Sequence, residues 1–411
     1  MRLDLLDYVL PDELIARRPA PVRDASRLLV VEPGAGAGAA GGEVELTHRR
    51  VADLAELVPE GALIVVNDTR VIPARLLGRK VGTGGSVELL LVRPLGGGAR
   101  NERAGGERAG GEGVGGERAG GEGVERERAG GERAGVEYLA MGRASKGLRA
   151  GTEVAFDDGR LVARVEGREG DDGLYVVTLR ARDGDVAGAI ERAGHMPLPP
   201  YMHRPDDAAD RERYQTVYAR VPGAIAAPTA GLHLTEELFA RLASRGVERA
   251  QVTLHVGLGT FQPVTVSDLD EHPMHSEAFD VPEATREAVA RARERGAPVV
   301  AVGTTVVRAL ESAADPERVG HVRAAAGETR LLIQPGFGFR VVDRLLTNFH
   351  LPRSTLLALV YAFAGAARVR RAYEVAVAER YRFYSYGDAM LLRRDAQGSQ
   401  PQGSQPQGSQ P

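Results

Sequence analysis

Residues 62–80 read ALIVVNDTRVIPARLLGRK, and the change of character inside this stretch decides the fold. Its first five residues are uniformly apolar, the pattern of a buried strand. Asn67, Asp68, Thr69 and Arg70 follow with polar and turn-forming side chains at that strand's carboxyl end, a place where α/β folds commonly frame ligands. From Val71 onward the chain changes again. The runs IPARLLGRKV, SVELLLVRPL, VEYLAMG, TEVAFDDG, LVARVEG and LYVVTLRA are short, rich in β-formers and separated by Gly and Asp-Gly turns, an all-β signature. The expected fold is therefore α/β: a discontinuous mixed α/β main domain over 1–70 and 182–395, with a small barrel-like all-β domain inserted at 71–181.

The segments beyond 182 support the α/β half of that reading. Thr235 suits an N-cap, Glu236 and Glu237 suit a positive helix start and Gly246 suits a stop, which predicts a helix over 236–245. A second helix is expected over 282–295, ending at Gly296 before an apolar strand at 298–302. Ser354 can cap a helix over 355–364, another follows over 369–380, and 383–392 is expected to close the sheet as a strand.

At 411 residues, two cores are favoured over one. Apolar residues make up 43% and charged residues 27%, near globular averages, but 52 glycines exceed them, so part of the chain is expected outside any core. That part is mainly 96–135, where GGERAG and GGEGV units recur with too little apolar content to repay ordering, between expected strands at 86–94 and 136–142. Gly111, Gly113 and Gly116 formally satisfy G-x-G-x-x-G there, but no strand precedes them and no helix follows. The QGSQP repeats at 397–411 read as a flexible tail, and 34–42 as a Gly/Ala loop.

The absence of cysteine excludes disulfides, a thiol nucleophile and thiolate-held metals. No basic-then-apolar leader opens the chain and no apolar run reaches membrane-spanning length, so a cytoplasmic location is expected. The formal net charge of −3 does not itself favour nucleic acid, although Arg70, Arg75, Arg79 and Lys80, and again Arg143, Lys146 and Arg149, form local basic clusters. These clusters suit phosphate contacts or an ordinary solvated face.

Several positions have the chemistry of a site. Asp68 and Arg70 stand at the first strand end, where Asn67 and Asp68 equally suit an Asx-type turn. A second strand end, 299–303, leads into Thr304, Thr305 and a helix carrying Arg308 and Glu311; its free N–H groups suit an anion, unless one threonine is a plain N-cap. His233 closes APTAGLH at a loop-to-helix junction, where an imidazole can titrate near neutral pH. His255 lies in a strand-like segment and reads as a hydrogen-bonded core residue, while His350 follows Asn348 in TNFHLP. His272 and His275 are separated by Pro273, which breaks any helix presenting both, so no metal site is expected. The VGLG at 256–259 lacks the third glycine and the acidic partner of a nucleotide loop. Tyr381, Phe383, Tyr384 and Tyr386 cluster before Gly387 and Asp388 as core or as stacking platforms.

Longer strings carry a family resemblance. NDTRVIPARLLGRK, GHMPLPPY, AAPTAGLH, TLHVGLGTFQPV, TNFHLP and YRFYSYGDAM stand in the order seen in the S-adenosylmethionine:tRNA ribosyltransferase-isomerase family of queuosine biosynthesis, which the chain resembles from Pro11 to the final YSYGDAMLL. The 96–135 insert and the tail depart from that pattern without interrupting a motif. The resemblance implies transfer of the ribosyl part of S-adenosylmethionine to 7-aminomethyl-7-deazaguanine at the tRNA wobble position, forming an epoxycyclopentanediol and releasing adenine and methionine. S-adenosylmethionine is then a consumed substrate, with no cofactor and no metal, and the enzyme is expected to be a monomer. For the acid–base work that this reaction requires, His233 is the leading candidate, with Asp68 and His350 behind it, and Arg308 is the candidate to hold the methionine carboxylate. Asn67, Arg70, Thr229, Gly231, Thr304, Thr305, Tyr384, Tyr386 and Asp388 fall in the matching motifs as substrate-binding positions. A non-catalytic tRNA-binding protein and a conventional methyltransferase are the alternatives.

Overall fold

In the computed structural model, which describes residues 1–34, 44–95, 135–170, 173–257 and 264–395, the apolar run forms a strand, Leu63–Asn67, with all five residues buried. The expected insert and tail, the formal glycine motif at 111–116, nearly all of the 34–42 loop and the second half of VGLG lie outside the described residues. Two compact units emerge, Met1–Ala74 with His195–Pro411, and Arg75–Gly194.

The larger unit opens with β1 (Arg27–Pro33), β2 (Val44–Arg50), the short helix α1 (Leu54–Leu57), β3 (Leu63–Asn67) and β4 (Thr69–Val71). The smaller unit holds β5 (Arg75–Lys80), β6 (Ser86–Leu95), β7 (Val136–Ala144), β8 (Glu153–Phe156), β9 (Leu161–Glu169), β10 (Leu174–Ala181) and α2 (Val186–Ala193). The chain then returns to the larger unit with α3 (Asp210–Arg213), β11 (Val221–Ala224), α4 (Glu236–Ser244), β12 (Glu248–Leu254), β13 (Glu277–Val281), α5 (Glu283–Glu294) and β14 (Val299–Val302). It ends with α6 (Thr304–Ser312), β15 (Ala325–Thr329), β16 (Arg344–Asn348), α7 (Thr355–Ala364), α8 (Ala366–Ala378) and β17 (Ala389–Arg393). The fold is thus the expected mixed α/β main unit interrupted in sequence by a β unit.

Nine strands of the larger unit pair in the order β15-β13-β12-β3-β14-β16-β17-β1-β2. β12, β3, β14 and β16 run parallel in the middle. The pleat sends alternate residues of β3 to opposite faces. Leu63 and Val65 pack with Val307 and Leu310 of α6, whereas Ile64 and Val66 pack with Leu238 and Leu242 of α4. Burial on both faces explains why the run carries no polar alternation. From β3 the chain builds β12 on one side and then crosses to β14 on the other, and such a switch leaves a crevice at the carboxyl ends of the strands.

Helices α4, α5 and α7 fall within a residue of their expected bounds because their end signals operate as read. The hydroxyls of Thr235 and Ser354 accept the N–H groups of Leu238 (3.1 Å) and Leu357 (3.2 Å). Helix α8 starts three residues early, since the break after α7 is confined to Gly365 at φ 87°. The expected strand over 383–392 needs correction: β17 begins only at Ala389. Before it the chain turns, with Tyr384 at φ 72° and the Gly387 N–H donating to the Tyr384 carbonyl at 2.9 Å. A Cβ at Gly387 would lie 2.5 Å from the Arg382 carbonyl oxygen, so the turn admits no side chain there. Asp388 secures it by accepting the N–H groups of Arg382 (2.8 Å) and Arg27 (3.0 Å).

The smaller unit is a closed antiparallel barrel, β10-β7-β6-β5-β8-β9, filled by Leu76, Leu89, Val154, Leu161 and Val177. The β segment was expected to end at 181, and the unit defined by contacts also takes in α2, up to Gly194. In its basic clusters Arg75 pairs with Glu88 at 2.9 Å, while Arg143, Lys146 and Arg149 are exposed. Among the described residues no helix is long and apolar enough to cross a membrane.

Candidate active site at the carboxyl ends of the central strands

The crevice predicted by the strand order is a cavity of about 690 Å³ within the larger unit. Small-molecule sites typically span roughly 300–1,000 Å³. Its wall is built from 199–201, 226–230, four residues of 272–277, 303–305 with Arg308, 331–333, 347–356 and 384–385, with a few single residues.

Its floor is the start of α6. Gly303, at φ 94°, is the N-cap, and no side chain caps this helix, so neither Thr304 nor Thr305 is the plain N-cap allowed for above. Both threonines border the cavity inside the first turn, where backbone N–H groups lack intrahelical partners and favour negative charge. One turn on, Arg308 is 7% exposed and also borders the cavity. Its Nε donates to the Leu331 carbonyl at 3.0 Å and its Nη1 pairs with Glu277, whose other oxygen accepts the Gly257 N–H at 3.0 Å. Nη2 is buried and has no hydrogen-bond partner among the described residues.

Another part of the wall is aromatic and hydroxylic. Tyr201 and Tyr384 pack against each other with centroids 4.6 Å apart and planes tilted by 57°, and the Tyr201 hydroxyl is hydrogen-bonded to Ser385. Burial pushes the Tyr201 phenol up to about 12, against the opposing effect of those Ser385 contacts. His350 borders the cavity with Nε2 2.8 Å from the Thr347 hydroxyl, and burial pushes its imidazole down to about 4. It is neutral at pH 7.

Of the positions singled out in the sequence, Thr229, Thr304, Thr305, Arg308, His350 and Tyr384 meet around this cavity. His272 and His275 border it too, whereas the remaining candidate positions matched to the family's motifs do not. Asn67 makes the Asx turn, its Oδ1 accepting the N–H groups of Thr69 (3.1 Å) and Leu254 (3.0 Å), while its Nδ2 donates to Thr305 Oγ1 at 3.3 Å. Asp68 is engaged by Arg220 (2.7 Å) and Thr253 (2.6 Å) and ties two strand ends together. Arg70 is exposed on β4. Gly231 is a packing position, since a Cβ there would come within 2.0 Å of the Tyr218 hydroxyl. Tyr386 donates to Asp210 at 2.9 Å, and Asp388 holds the turn before β17. His233 is buried behind Asn348, its Nε2 3.0 Å from Asn348 Nδ2, and burial is the main cause that pushes it down to about 4. His255 is the hydrogen-bonded histidine expected, 2.8 Å from Thr69 Oγ1.

Residues 3–392 match the family described as "Queuosine biosynthesis protein". The chain belongs to that family. Among the family's proteins, one from Sorangium cellulosum named S-adenosylmethionine:tRNA ribosyltransferase-isomerase is 58% identical over 395 residues, covering 96% of this chain and 99% of its own. A protein of the same name from Anaeromyxobacter dehalogenans is 51% identical over 394 residues, covering 96% of this chain and 100% of its own. A crystal structure of S-adenosylmethionine tRNA ribosyltransferase from Thermotoga maritima is 34% identical, covers 94% of this chain and 99% of its own, and superposes with a TM-score of 0.47.

Sequence reasoning missed Tyr201, Glu277, Asn348, Ser385 and the placement of His272 and His275, all of which border the cavity. Tyr201, Asn348 and Ser385 lie inside strings quoted for the family resemblance, whereas His272, His275 and Glu277 lie together in residues 271–277, which read EHPMHSE. Nothing local in these strings marks a ligand wall: Pro273 separates the two histidines and GHMPLPPY carries no charged side chain besides its histidine, so the fold alone brings them to the cavity.

Proposed function

We propose that this chain transfers the ribosyl part of S-adenosylmethionine to the aminomethyl nitrogen of 7-aminomethyl-7-deazaguanine at the tRNA wobble position, isomerising it to an epoxycyclopentanediol and releasing adenine and methionine. The names borne by close relatives support the reaction class. The observation that carries the assignment to this cavity is Arg308. A buried guanidinium N–H without a partner, beside the uncapped start of α6, suits an anionic ligand group, and the donor's methionine carboxylate is one.

The remaining wall fits the rest of the donor. The tilted rings of Tyr201 and Tyr384, which border the cavity, offer aromatic surface to the sulfonium or to a purine. The positive sulfur acidifies the carbon protons next to it and makes methionine a neutral leaving group. His350, uncharged at neutral pH, accepts that proton and the imidazolium so formed returns it to the departing adenine, while the proton that the attacking amine loses as its C–N bond forms passes to solvent. Asp68 and His233, first considered beside it, are assigned no proton transfer because neither borders the cavity. The tRNA base has to leave its stack for its neutral amine to reach the donor. S-adenosylmethionine is a substrate here, and the chemistry calls for no cofactor or metal.

Ribose-labelled S-adenosylmethionine and tRNA carrying the aminomethyl-deazaguanine test the reading. Label is expected on the RNA, with adenine and methionine released in equal amounts. Formation of S-adenosylhomocysteine would show a methyltransferase instead, and folded enzyme that consumes no donor would show a binding protein.

A further inference from the structure

Asn348 ends β16, is 2% exposed and borders the cavity. Its carboxamide is satisfied at one end only. Nδ2 lies 3.1 Å from the Tyr384 carbonyl, 3.0 Å from His233 Nε2 and 3.5 Å from the Asp388 carbonyl. Oδ1 is buried and has no hydrogen-bond partner among the described residues. Carbonyl oxygens only accept, so the end beside them is the NH2 end, and turning the amide over would set Oδ1 against both. His233 Nε2 must then be an acceptor too. Its proton therefore sits on Nδ1, consistent with the hydrogen bond between the ring and the Arg23 backbone and with an imidazole kept neutral by burial. The left-handed backbone of Tyr384 belongs to the same arrangement, because its carbonyl holds Asn348 while its ring lines the cavity.

A buried carboxamide oxygen without a partner bears an uncompensated desolvation cost, which a donor hydrogen from a ligand removes. We propose that Asn348 binds substrate through Oδ1, accepting a hydrogen bond from an amino group on a purine-like ring, and that His233 is the positioning residue that holds the amide in this orientation. The neighbouring rings of Tyr201 and Tyr384 favour a flat heterocycle over an aliphatic donor. The inference rests on the ribosyl-transfer reading, in which adenine of the donor and the deazaguanine of the tRNA both carry such a group.

Wild-type enzyme is first shown to release adenine and methionine, so failure of that reading is seen separately. Then Asn348→Leu, His233→Leu, His233→Gln and the double Leu variant are compared, with folding checked by circular dichroism. Asn348→Leu is expected to lower kcat/KM about 30-fold or more, and His233→Leu about 10-fold or more. The double variant should be no worse than Asn348→Leu alone, because His233 acts through that amide. His233→Gln, whose amide oxygen can accept from Nδ2, should retain activity within about fivefold with an unchanged pH profile. Calorimetry with S-adenosylmethionine alone identifies the source of the amine. Weaker binding to Asn348→Leu points to adenine, and unchanged binding with the loss confined to tRNA turnover points to the deazaguanine. Folded Asn348→Leu with wild-type kinetics, additive losses in the double variant, or His233→Gln as damaged as His233→Leu would each overturn the proposal.

Discussion

One unmatched nitrogen on Arg308 makes a prediction that loss of stability cannot imitate. If Nη2 and the start of α6 receive the methionine carboxylate, wild-type enzyme should prefer S-adenosylmethionine to its decarboxylated analogue. A hydrogen bond to a charged group is worth about 1.5–3 kcal/mol, so the preference should be roughly 10- to 150-fold. Arg308→Gln should raise KM for S-adenosylmethionine more than it lowers kcat, and should narrow the preference to a few-fold. An undiminished preference would remove Arg308 from the carboxylate. This residue was legible in the sequence because it follows a buried strand by one helical turn, so its distance from the strand end is set by local geometry. The position of His233 relative to the cavity was not legible, for the complementary reason. APTAGLH announces a tight junction, but only the fold places Asn348, 115 residues away in sequence, between that imidazole and the cavity.

At the scale of elements, helices with their own end signals were readable and the segment after Tyr381 was not. Tyr384, Ser385 and Tyr386 look like strand residues by composition. They form a turn because Gly387 admits no side chain and Asp388 accepts two backbone N–H groups, one from the distant Arg27. The barrel, in contrast, was visible as a succession of short β runs, and its β6–β7 pair explains where the low-complexity sequence can be carried. Leu95 and Glu137 are partners across that pair, so residues 96–136 connect positions that are already adjacent. Loop-closure entropy rises only slowly with length, and shortening such a connection should leave the pairing intact. Replacing 97–134 by a four-residue Gly-Asn-based turn and removing 397–411 is expected to leave turnover within about twofold. A folded variant with a tenfold loss would show that the replaced segments act on the reaction.

For the whole molecule, the discontinuous organisation was legible at the point where a uniformly apolar strand gives way to short β runs, and it has a consequence for acid stability. All nine histidines lie outside Arg75–Gly194, so titration of imidazoles acts on the larger unit alone. His233 and His350 are each pushed down to about 4, with burial the leading cause, and His255 is lowered as well. In the unfolded chain these groups take up protons near pH 6.5, whereas in the folded unit they do not until much lower pH. The unfolded state therefore binds more protons between about 6.5 and 4, and stability falls as pH falls through that window. Each fully buried imidazole contributes a loss of roughly 3 kcal/mol by pH 4. Two such losses are comparable with the whole stability of an ordinary domain, about 5–15 kcal/mol. Hydrogen exchange followed from pH 7.5 to 4.5 should show protection in β3, β12, β14 and β16 declining steeply while the barrel strands change little. His350→Gln should flatten part of that decline. Equal losses in the two units, or a larger unit whose protection is unchanged down to pH 5, would mean that these imidazoles accept protons in the folded state and that burial does not hold them neutral.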